Sequence, residues 1–589
     1  PSGGTALTGT VNPASTTVYT LTVNDGSGCI QNDQTTVTVS NETTTTSQTN
    51  VDCFSNSNGC VTLNPSNGVQ PYLLFGPSNA VQVYGGSMRE ITVNNTSGTA
   101  YTNHPVRITV PFSAGMRADF GNLRFYDSNQ SKLQYWIESY TLSTSTVVWV
   151  KIPTLSTGNS TLYMTFGDVS VTSEARGVNV FEFFDDFNSY DPTKWTIGTV
   201  AATAGTPWSF YGGKLVGGNT RRTLTSVATF TGGKIGETLS YESAVNTSGF
   251  SVLSFWISGT NNASLMPYRG SGANINRMYL RDDGAWAQFG NNSPGYMLNQ
   301  WVRSVIRHTG ANEVANNFRA QRFNSAGTLV WDYFRQNGAI AGERLRLGNR
   351  PDGNTANQNF NVQWDWMFVR PYISVDPTIT FGPVVTSDNQ FCGYAAGTYN
   401  FNVVDVAGCN NAVSVTITEP TTALSISSLT MTAVGCYTTN DGTIDITVAG
   451  GTPVSPPPAY YYNWAGPSGF SSTSEDLTNL IVGAYNVTVA DDNACTTNSS
   501  IIVTQLAPIN AGFYTWKGTT NTLWQVDSNW DCRVPDATSR VIIPGLPVGG
   551  NDPEIRVGII GDVFDINIQG TTSNLLDIQP GGLLRIHKP

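Results

Sequence analysis

A short pattern that recurs three times limits the folds open to this chain. Residues 18–29 (VYTLTVNDGSGC), 398–409 (TYNFNVVDVAGC) and 484–495 (AYNVTVADDNAC) align without a gap, each with Tyr ten positions before Cys. Alternating strand residues lead from Tyr into an Asp/Gly/Asn turn, so each copy reads as strand, tight turn and cysteine. The next strand recurs too, as TVTVS at 36–40, SVTITEP at 414–420 and IIVTQ at 501–505. A period of this kind predicts an array of similar β-modules.

The front of the module also repeats, as NVDCFSNSNG at 50–59 and AVGCYTTNDG at 433–442. Cys436 and Cys495 are 59 positions apart, whereas Cys53 and Cys409 are 356 apart, a difference of 297 residues. One repeat is therefore expected to hold a large insertion, because loop closure costs only about 0.6 kcal/mol per doubling of length. The alignment predicts pairing of Cys436 with Cys495 and of Cys53 with Cys409. Cys60 and Cys392 flank the insertion and are expected to staple its neck. Cys29 and Cys532 are then left over, their partners expected in sequence beyond the two ends of this segment. No CxxC is present and His occurs only three times, which argues against zinc. Three structural disulfides imply an oxidising, extracellular setting.

Composition agrees with surface-exposed β-modules. Only 12% of residues are charged while 39% are hydrophobic, so the polar surface must be Ser, Thr, Asn and Gly, and enough apolar area exists to offset chain entropy. The net charge of −11 without a Lys/Arg block argues against nucleic acid or an anionic membrane as partner. No apolar run reaches the roughly 18 residues of a spanning helix, so no membrane insertion is expected. The chain reads as a segment of a longer polypeptide.

The repeat resembles that of the SprB-type mobile cell-surface adhesins of gliding Bacteroidetes. The resemblance rests on Cys53, Phe54, Asn58, Gly59, Pro71, Tyr72, Gly397, Thr398, Tyr399, Val403, Asp405, Gly408, Cys409, Glu419 and Pro420. A second copy carries Cys436, Gly450, Gly451, Trp464, Tyr485, Val489, Asp491 and Cys495, and departs at a longer proline-rich loop, Pro453 to Pro458. It implies a bacterial cell-surface protein exported by the type IX system, with the secretion and motility machinery of the outer membrane and further modules of the same chain as partners.

Within the insertion, strand-like runs at 89–93, 106–110, 123–126, 133–138, 147–152 and 161–166 predict a β-sandwich. Its strings VRITV, VVWVKIP and LYMTFG resemble an uncharacterised bacterial domain commonly fused to a concanavalin-like domain. The following strings, FEFFDDFNSYDPTKW (181–195), YGGKL (211–215), SVLSFWIS (251–258), RMYLRDDGAWAQF (277–289), WVRSVIRH (301–308) and WDWMFVRPY (364–372), resemble a concanavalin-like jelly roll of the laminarinase or laminin-G type. That resemblance implies a structural Ca2+ held by Asp365, the Gly213 turn and Asp186 or Asn188, oxygen donors suited to a hard cation.

Hydrolysis on this fold needs two carboxylates about 5–5.5 Å apart. The strands expected to carry them contain no Glu, Asp282 and Asp283 fall on a hairpin turn, and Glu242 and Glu313 are far apart in sequence. A non-enzymatic protein is therefore expected. Aromatic faces and planar donors on the concave sheet suit a glycan, with Trp256, Tyr268, Arg269, Arg277, Tyr279, Trp286 and Arg303 as candidates; the bland alternative places about half of them in the core. Residues 510–589 carry short strands about ten residues apart and read as the start of a β-solenoid, with Trp516, Trp524 and Trp530 as packing residues.

The expected fold is all-β: tandem Ig-like sandwich modules, one interrupted by a β-sandwich plus a concanavalin-like jelly roll, ending in the start of a β-solenoid. The expected boundaries are 1–47 for a truncated module, 48–85 with 384–421 for the interrupted repeat, 86–177 for the sandwich, 178–383 for the jelly roll, 422–508 for the second repeat and 509–589 for the last element. Such a chain would be an adhesin or filament segment that attaches through a surface polysaccharide or other glycan. The alternatives are a structural spacer and a polysaccharide hydrolase.

Overall fold

Short runs of alternating residues separated by turns fill the chain, and the fold that results is all-β, with one α-helical turn (Gly177–Val180) among the described residues. The computed structural model describes all residues except 1–16, 25–29, 38–41, 200–208, 218–221, 243–248, 251, 257–261, 270–275, 283–284, 290–296, 298, 310–317, 336–340, 349–361, 436–439, 457, 507–512, 533, 546, 548, 570–575 and 587–589. Two units divide the chain. One comprises Pro1–Thr46, Leu63–Gln390 and Asn400–Ser414, the other Ser47–Thr62, Phe391–Tyr399 and Val415–Pro589.

The first unit is nested. Phe75 lies opposite Asn402 and Leu73 opposite Val404, so the two edges of the interrupted repeat meet in one sheet across more than three hundred residues. Inside it sits a sandwich of two sheets. One runs Tyr135–Thr141, Ser145–Leu155, Tyr101–Pro111, and the other Thr378–Thr386, Ser87–Asn95, Gly158–Phe166, Arg124–Asp127. Thr378–Thr386 corrects the expected boundaries: it is an edge strand of the sandwich, opposite Ser87–Asn95, and not part of the jelly roll. The jelly roll is thus inserted into the sandwich, as the sandwich is into the repeat. The sequence concealed this because TITFGPVVT has the same alternation whichever sheet it completes.

The jelly roll consists of two sheets. The first runs Ser209–Phe210, Leu215–Gly217, Val362–Pro371, Lys234–Glu242, Gln300–His308, Phe318–Phe323, Leu329–Arg335, with Phe183–Asp185 also on Val362–Pro371. The second runs Trp195–Thr199, Arg222–Ser226, Ala341–Gly348, Val252–Trp256, Asn262–Arg269, Asn276–Asp282, Ala285–Phe289. Phe183, Trp195, Leu224, Ile306, Leu345, Leu347, Trp364 and Met367 fill the core between them.

The outer face of the first sheet is covered by the sandwich. Ile235, Val305 and Ile373 join the sandwich core, and an aromatic seam adds Trp136 and Trp149 to Phe181, Phe184, Trp366 and Phe368. Phe181 stacks on Phe368 at 4.0 Å and Trp136 meets Trp366 edge-on at 5.5 Å, contacts worth about 0.5–1.5 kcal/mol each beyond their burial. The two inserted domains therefore form one packed body.

His104 of Tyr101–Pro111 is buried in this body, and neither ring nitrogen has a hydrogen-bond partner. Burial, with Arg370 nearby, holds its pKa down to about 3. The unfolded chain therefore takes up a proton between about pH 6.5 and 3 that the folded chain refuses, so stability should fall on acidification through that window, by up to roughly 1.4 kcal/mol per pH unit. Denaturant melts of the wild type and of His104→Phe from pH 7 to 4 test this: the variant should show a flatter profile, and equal slopes would refute the assignment.

In the second unit the second repeat is a sandwich. Ser425–Thr432, Gly442–Ala449 and Leu477–Leu480 form one sheet, and Ser471–Ser472, Tyr461–Ala465, Gly483–Ala490 and Thr496–Val503 the other. Trp464 is fully buried at its centre and donates its indole N–H to the Ser474 carbonyl. The recurring residues have mechanical roles. Tyr485 Oη donates to the Ile481 carbonyl and Tyr399 Oη to the Ala395 carbonyl, four residues back in both cases, the tyrosine-corner arrangement of Ig-like sandwiches. Asp491 accepts from the Cys495 amide and Asp405 from the Cys409 amide, both at 2.9 Å, so a buried carboxylate shapes each turn that presents a cysteine.

Cys60 is bonded to Cys392, whereas the expected Cys53–Cys409 and Cys436–Cys495 pairs are replaced by Cys53–Cys495. The bridge joins the front loop of one repeat to the rear turn of the next, where Asn493 Nδ2 also donates to the Asp52 carbonyl. Repeat alignment shows which positions are equivalent but not which copy supplies the partner; own-rear and next-rear pairing have the same periodicity. Cys409 carries no disulfide among the described residues. Cys532, expected to be left over, is disulfide-bonded, with its Sγ 3.6 Å from the Gly435 carbonyl. Cys29 and Cys436 lie outside the described residues.

At the end of the chain, Phe513–Thr515, Arg540–Ile543 and Asp565–Ile568 pair in parallel, as do Glu554–Ile555 with Asp577–Ile578 and Ile560–Val563 with Leu583–Ile586. These are ladders of two or three strands, and no complete solenoid is built among the described residues. Trp516, Trp524 and Trp530 pack edge-on against one another in its core.

Candidate functional site

Six of the seven glycan candidates lie on the second jelly-roll sheet, the one the sandwich leaves uncovered. Their side chains lie outside the described parts of the structure, but the backbone register sorts them. Leu345 and Leu347 point into the core, and their partners Phe255 and Leu253 share that row. The alternate row belongs to the opposite face. It contains Trp256 opposite Arg344 and Asn262, Tyr268 opposite Arg277, Tyr279 opposite Met266, and Trp286 opposite Arg281. Arg269 falls in the core-side row.

Arg303 is the exception, and its expected place on the concave sheet is corrected. It lies on Gln300–His308 of the first sheet, where its guanidinium donates to Glu237, a fully buried carboxylate. Arg370 reaches Glu237 at 3.1 Å from the other side and Asp376 at 2.9 Å. Asp376, half-exposed, is also bound by Arg307, and against the partial desolvation there these two guanidiniums hold its carboxyl well below the usual range. Arg107 grips Glu138 through two bonds of 3.0 Å, and Trp149 donates to the same carboxylate. Burial would raise Glu138, but Arg303 and Arg107 together keep it below its ordinary value. The sequence reading missed this ion cluster; its signal was charged residues in the core-facing slots of otherwise apolar strands, as in KIGETL and WMFVRP.

The expected metal ligands converge in part. Asp365 is the extra residue of a β-bulge, since Leu239 pairs with Trp366 and Ser240 with Trp364. The bulge turns Trp364 into the core and Trp366 into the seam. Burial, opposed by Lys214 and reinforced by Asp186, raises the Asp365 pKa, so the two carboxylates feel each other. Asn188 Oδ1 lies 3.1 Å from where a Cβ on Gly213 would sit, and Gly212 and Gly213 both have positive φ. Among the described residues no three His, Cys, Asp or Glu side chains converge as a metal cluster, so a cation here would depend on amide and carbonyl oxygens as well. Neighbouring Asp185 is occupied structurally, accepting from Phe187 N–H and Trp195 Nε1.

For catalysis, the carboxylates considered in the sequence are out of reach of the geometry: Asp283 and Glu313, and the side chains of Glu242 and Asp282, lie outside the described residues.

Comparison with known proteins gives two family matches. Residues 45–73 match the SprB repeat, and residues 119–198 match a domain of unknown function, DUF2341. The second match spans the junction of sandwich and jelly roll. No curated protein matches. Similar solved structures include the CBM2 module of the evolved Dit of Lactobacillus casei BL23 phage J-1, at 12% identity and TM-score 0.25, covering 33% of this chain and 96% of that one. A β-1,3-1,4-glucanase (lichenase) from a mouse hindgut metagenome follows at 12% and 0.22, covering 32% and 99%. The Bacillus licheniformis β-glucanase matches at 11% and 0.23, covering 32% and 98%. The repeat match supports a surface protein of the SprB type.

Proposed function

We propose that this chain is a non-enzymatic segment of a bacterial cell-surface adhesin that attaches through glycan binding by the inserted jelly roll. The carrying observation is the row of Trp256, Tyr268, Arg277, Tyr279 and Trp286 on the face left open by the sandwich. Aromatic rings there offer stacking surfaces for sugar rings, and guanidiniums offer donors for hydroxyls. The SprB match supports a surface role, and on this reading the chain serves gliding attachment after type IX export. Asp365, Asp186, Asn188 and the Gly213 carbonyl would hold a structural Ca2+, a set that fits an oxygen-seeking cation; bound there, the ion would brace the edge of the first sheet.

A glycan array probed with the full chain, with and without Ca2+, tests the reading. Binding to at least one polysaccharide, weakened tenfold or more by Trp256→Ala with Trp286→Ala, is expected. Asp365→Asn should abolish a Ca2+-dependent rise in melting temperature. Absence of binding to any glycan would leave the chain a spacer, and hydrolysis of β-glucans would make it an enzyme.

A further inference from the structure

A cleft of about 700 Å3 opens at the seam between the sandwich and the jelly roll, away from the open sheet face, and has the size of a ligand pocket. Its walls come from both domains. Tyr140, Arg107 and Glu138 belong to the three-stranded sandwich sheet, and Trp301, Arg303 and the 324–327 turn to the jelly roll.

The cleft is rigid and preorganised. Arg107 spends Nε and Nη2 on Glu138, and Arg303 spends the same two nitrogens on Glu237. Each guanidinium is thereby fixed in plane with its Nη1 amino group unspent among the described residues. Each guanidinium is held by a buried carboxylate, Glu237 being shared with Arg370, so the site offers oriented donors. Tyr140 is half exposed on one wall. On the other, Trp301 is held by Tyr241 edge-on at 5.5 Å and by the Lys214 ammonium 4.7 Å above its ring. Asn324 Oδ1 accepts from the amides of Ala326 and Thr328, which fixes the turn that closes the end.

We infer that this seam cleft is a second saccharide site, one that takes a hydroxyl-rich oligosaccharide. Ring faces at Trp301 and Tyr140 suit the apolar side of a pyranose, and the fixed Nη1 groups suit hydroxyl oxygens. The site is independent of the open-sheet reading, since no residue is shared between its walls and that row.

Titration calorimetry of the full chain against short neutral gluco-, manno-, galacto- and N-acetylglucosamine oligomers tests the inference. It is run on the wild type, on Tyr140→Ala with Trp301→Leu, and on Trp256→Ala with Trp286→Ala. The seam variant should lose at least tenfold in affinity for one oligomer, with an unchanged melting temperature, while the open-sheet variant keeps that affinity. Tyr140→Ala alone, an exposed position, should show a partial loss if the double variant folds poorly. An affinity lost only in the open-sheet variant, or no binding of any of these oligomers, would each overturn the seam site.

Discussion

Stretched between handles at residues 52 and 496, the oxidised chain should lengthen hardly at all, although more than four hundred residues lie between the attachment points. The Cys53–Cys495 bridge, with a sequence separation of 442, carries the force directly from one repeat to the next. Reduction should release about 1,500 Å of contour, at about 3.3–3.6 Å per residue. Cys53→Ser alone should release only the residues outside the Cys60–Cys392 loop, 442 − 332 = 110, or about 380 Å. The inserted body would then still be shielded by its neck bridge. The measurement is made in a Cys532→Ser background, which removes the third bridge from the force path. Cys53–Cys409 pairing, with Cys436–Cys495 beside it, would leave the stretch from Cys409 to Cys436 extensible without reductant, about 90 Å for 436 − 409 = 27 residues. That extension in the oxidised protein would overturn the staggered connectivity.

On the adhesin reading proposed above, this connectivity has a mechanical consequence. A surface protein under shear is pulled along its length, and a guest domain in a repeat would unfold if force passed through its strands. Two nested bridges place the sandwich and jelly roll outside the force path. The seam packing acts alongside this, because Phe181, Trp366 and Phe368 from the jelly roll and Trp149 from the sandwich share one cluster.

How much of this was legible in the sequence depended on range. Local alternation and turn chemistry identify the strands, and the Tyr-to-Cys spacing identifies the repeat, because Tyr485 and Asp491 act on residues four positions away. Partner choice was not legible. Cys495 aligns with Cys409, and only the packing of consecutive repeats decides that Cys53 meets the former. The same holds for Thr378–Thr386, whose sheet is set by Ser87–Asn95 nearly three hundred residues earlier. Among the site residues, five of the seven glycan candidates fall in one register row because alternation on a strand is local. Arg303 falls on the other sheet because alternation along a strand does not say which of two sheets the strand joins.

Glu237→Ala should be among the most damaging single substitutions in the inserted body. Glu237 is fully buried on Lys234–Glu242, between Arg303 on one neighbouring strand and Arg370 on the other. Removing it leaves two guanidiniums facing each other, with Arg370 almost wholly buried beneath the Trp149 ring at 5.0 Å. Breaking a buried pair from one side costs about 3–5 kcal/mol; here Arg303 loses the carboxylate it is bonded to and Arg370 keeps only the half-exposed Asp376. At about 2–4 °C per kcal/mol for domains of this size, the melting transition should fall by roughly 6–20 °C. Sandwich and jelly roll should melt together, because the cluster lies at their shared seam. Replacing the ion set by apolar residues of similar volume, Glu237→Leu with Arg303→Met and Arg370→Met, should recover most of the loss, since that removes the desolvated charges as well as their attraction. Differential scanning calorimetry of the three proteins separates the outcomes. A shift below about 2 °C for Glu237→Ala would mean that water reaches the cluster and that the seam is not packed in solution. A triple variant no more stable than the single one would mean that the ions fix the docking geometry rather than merely tolerate burial.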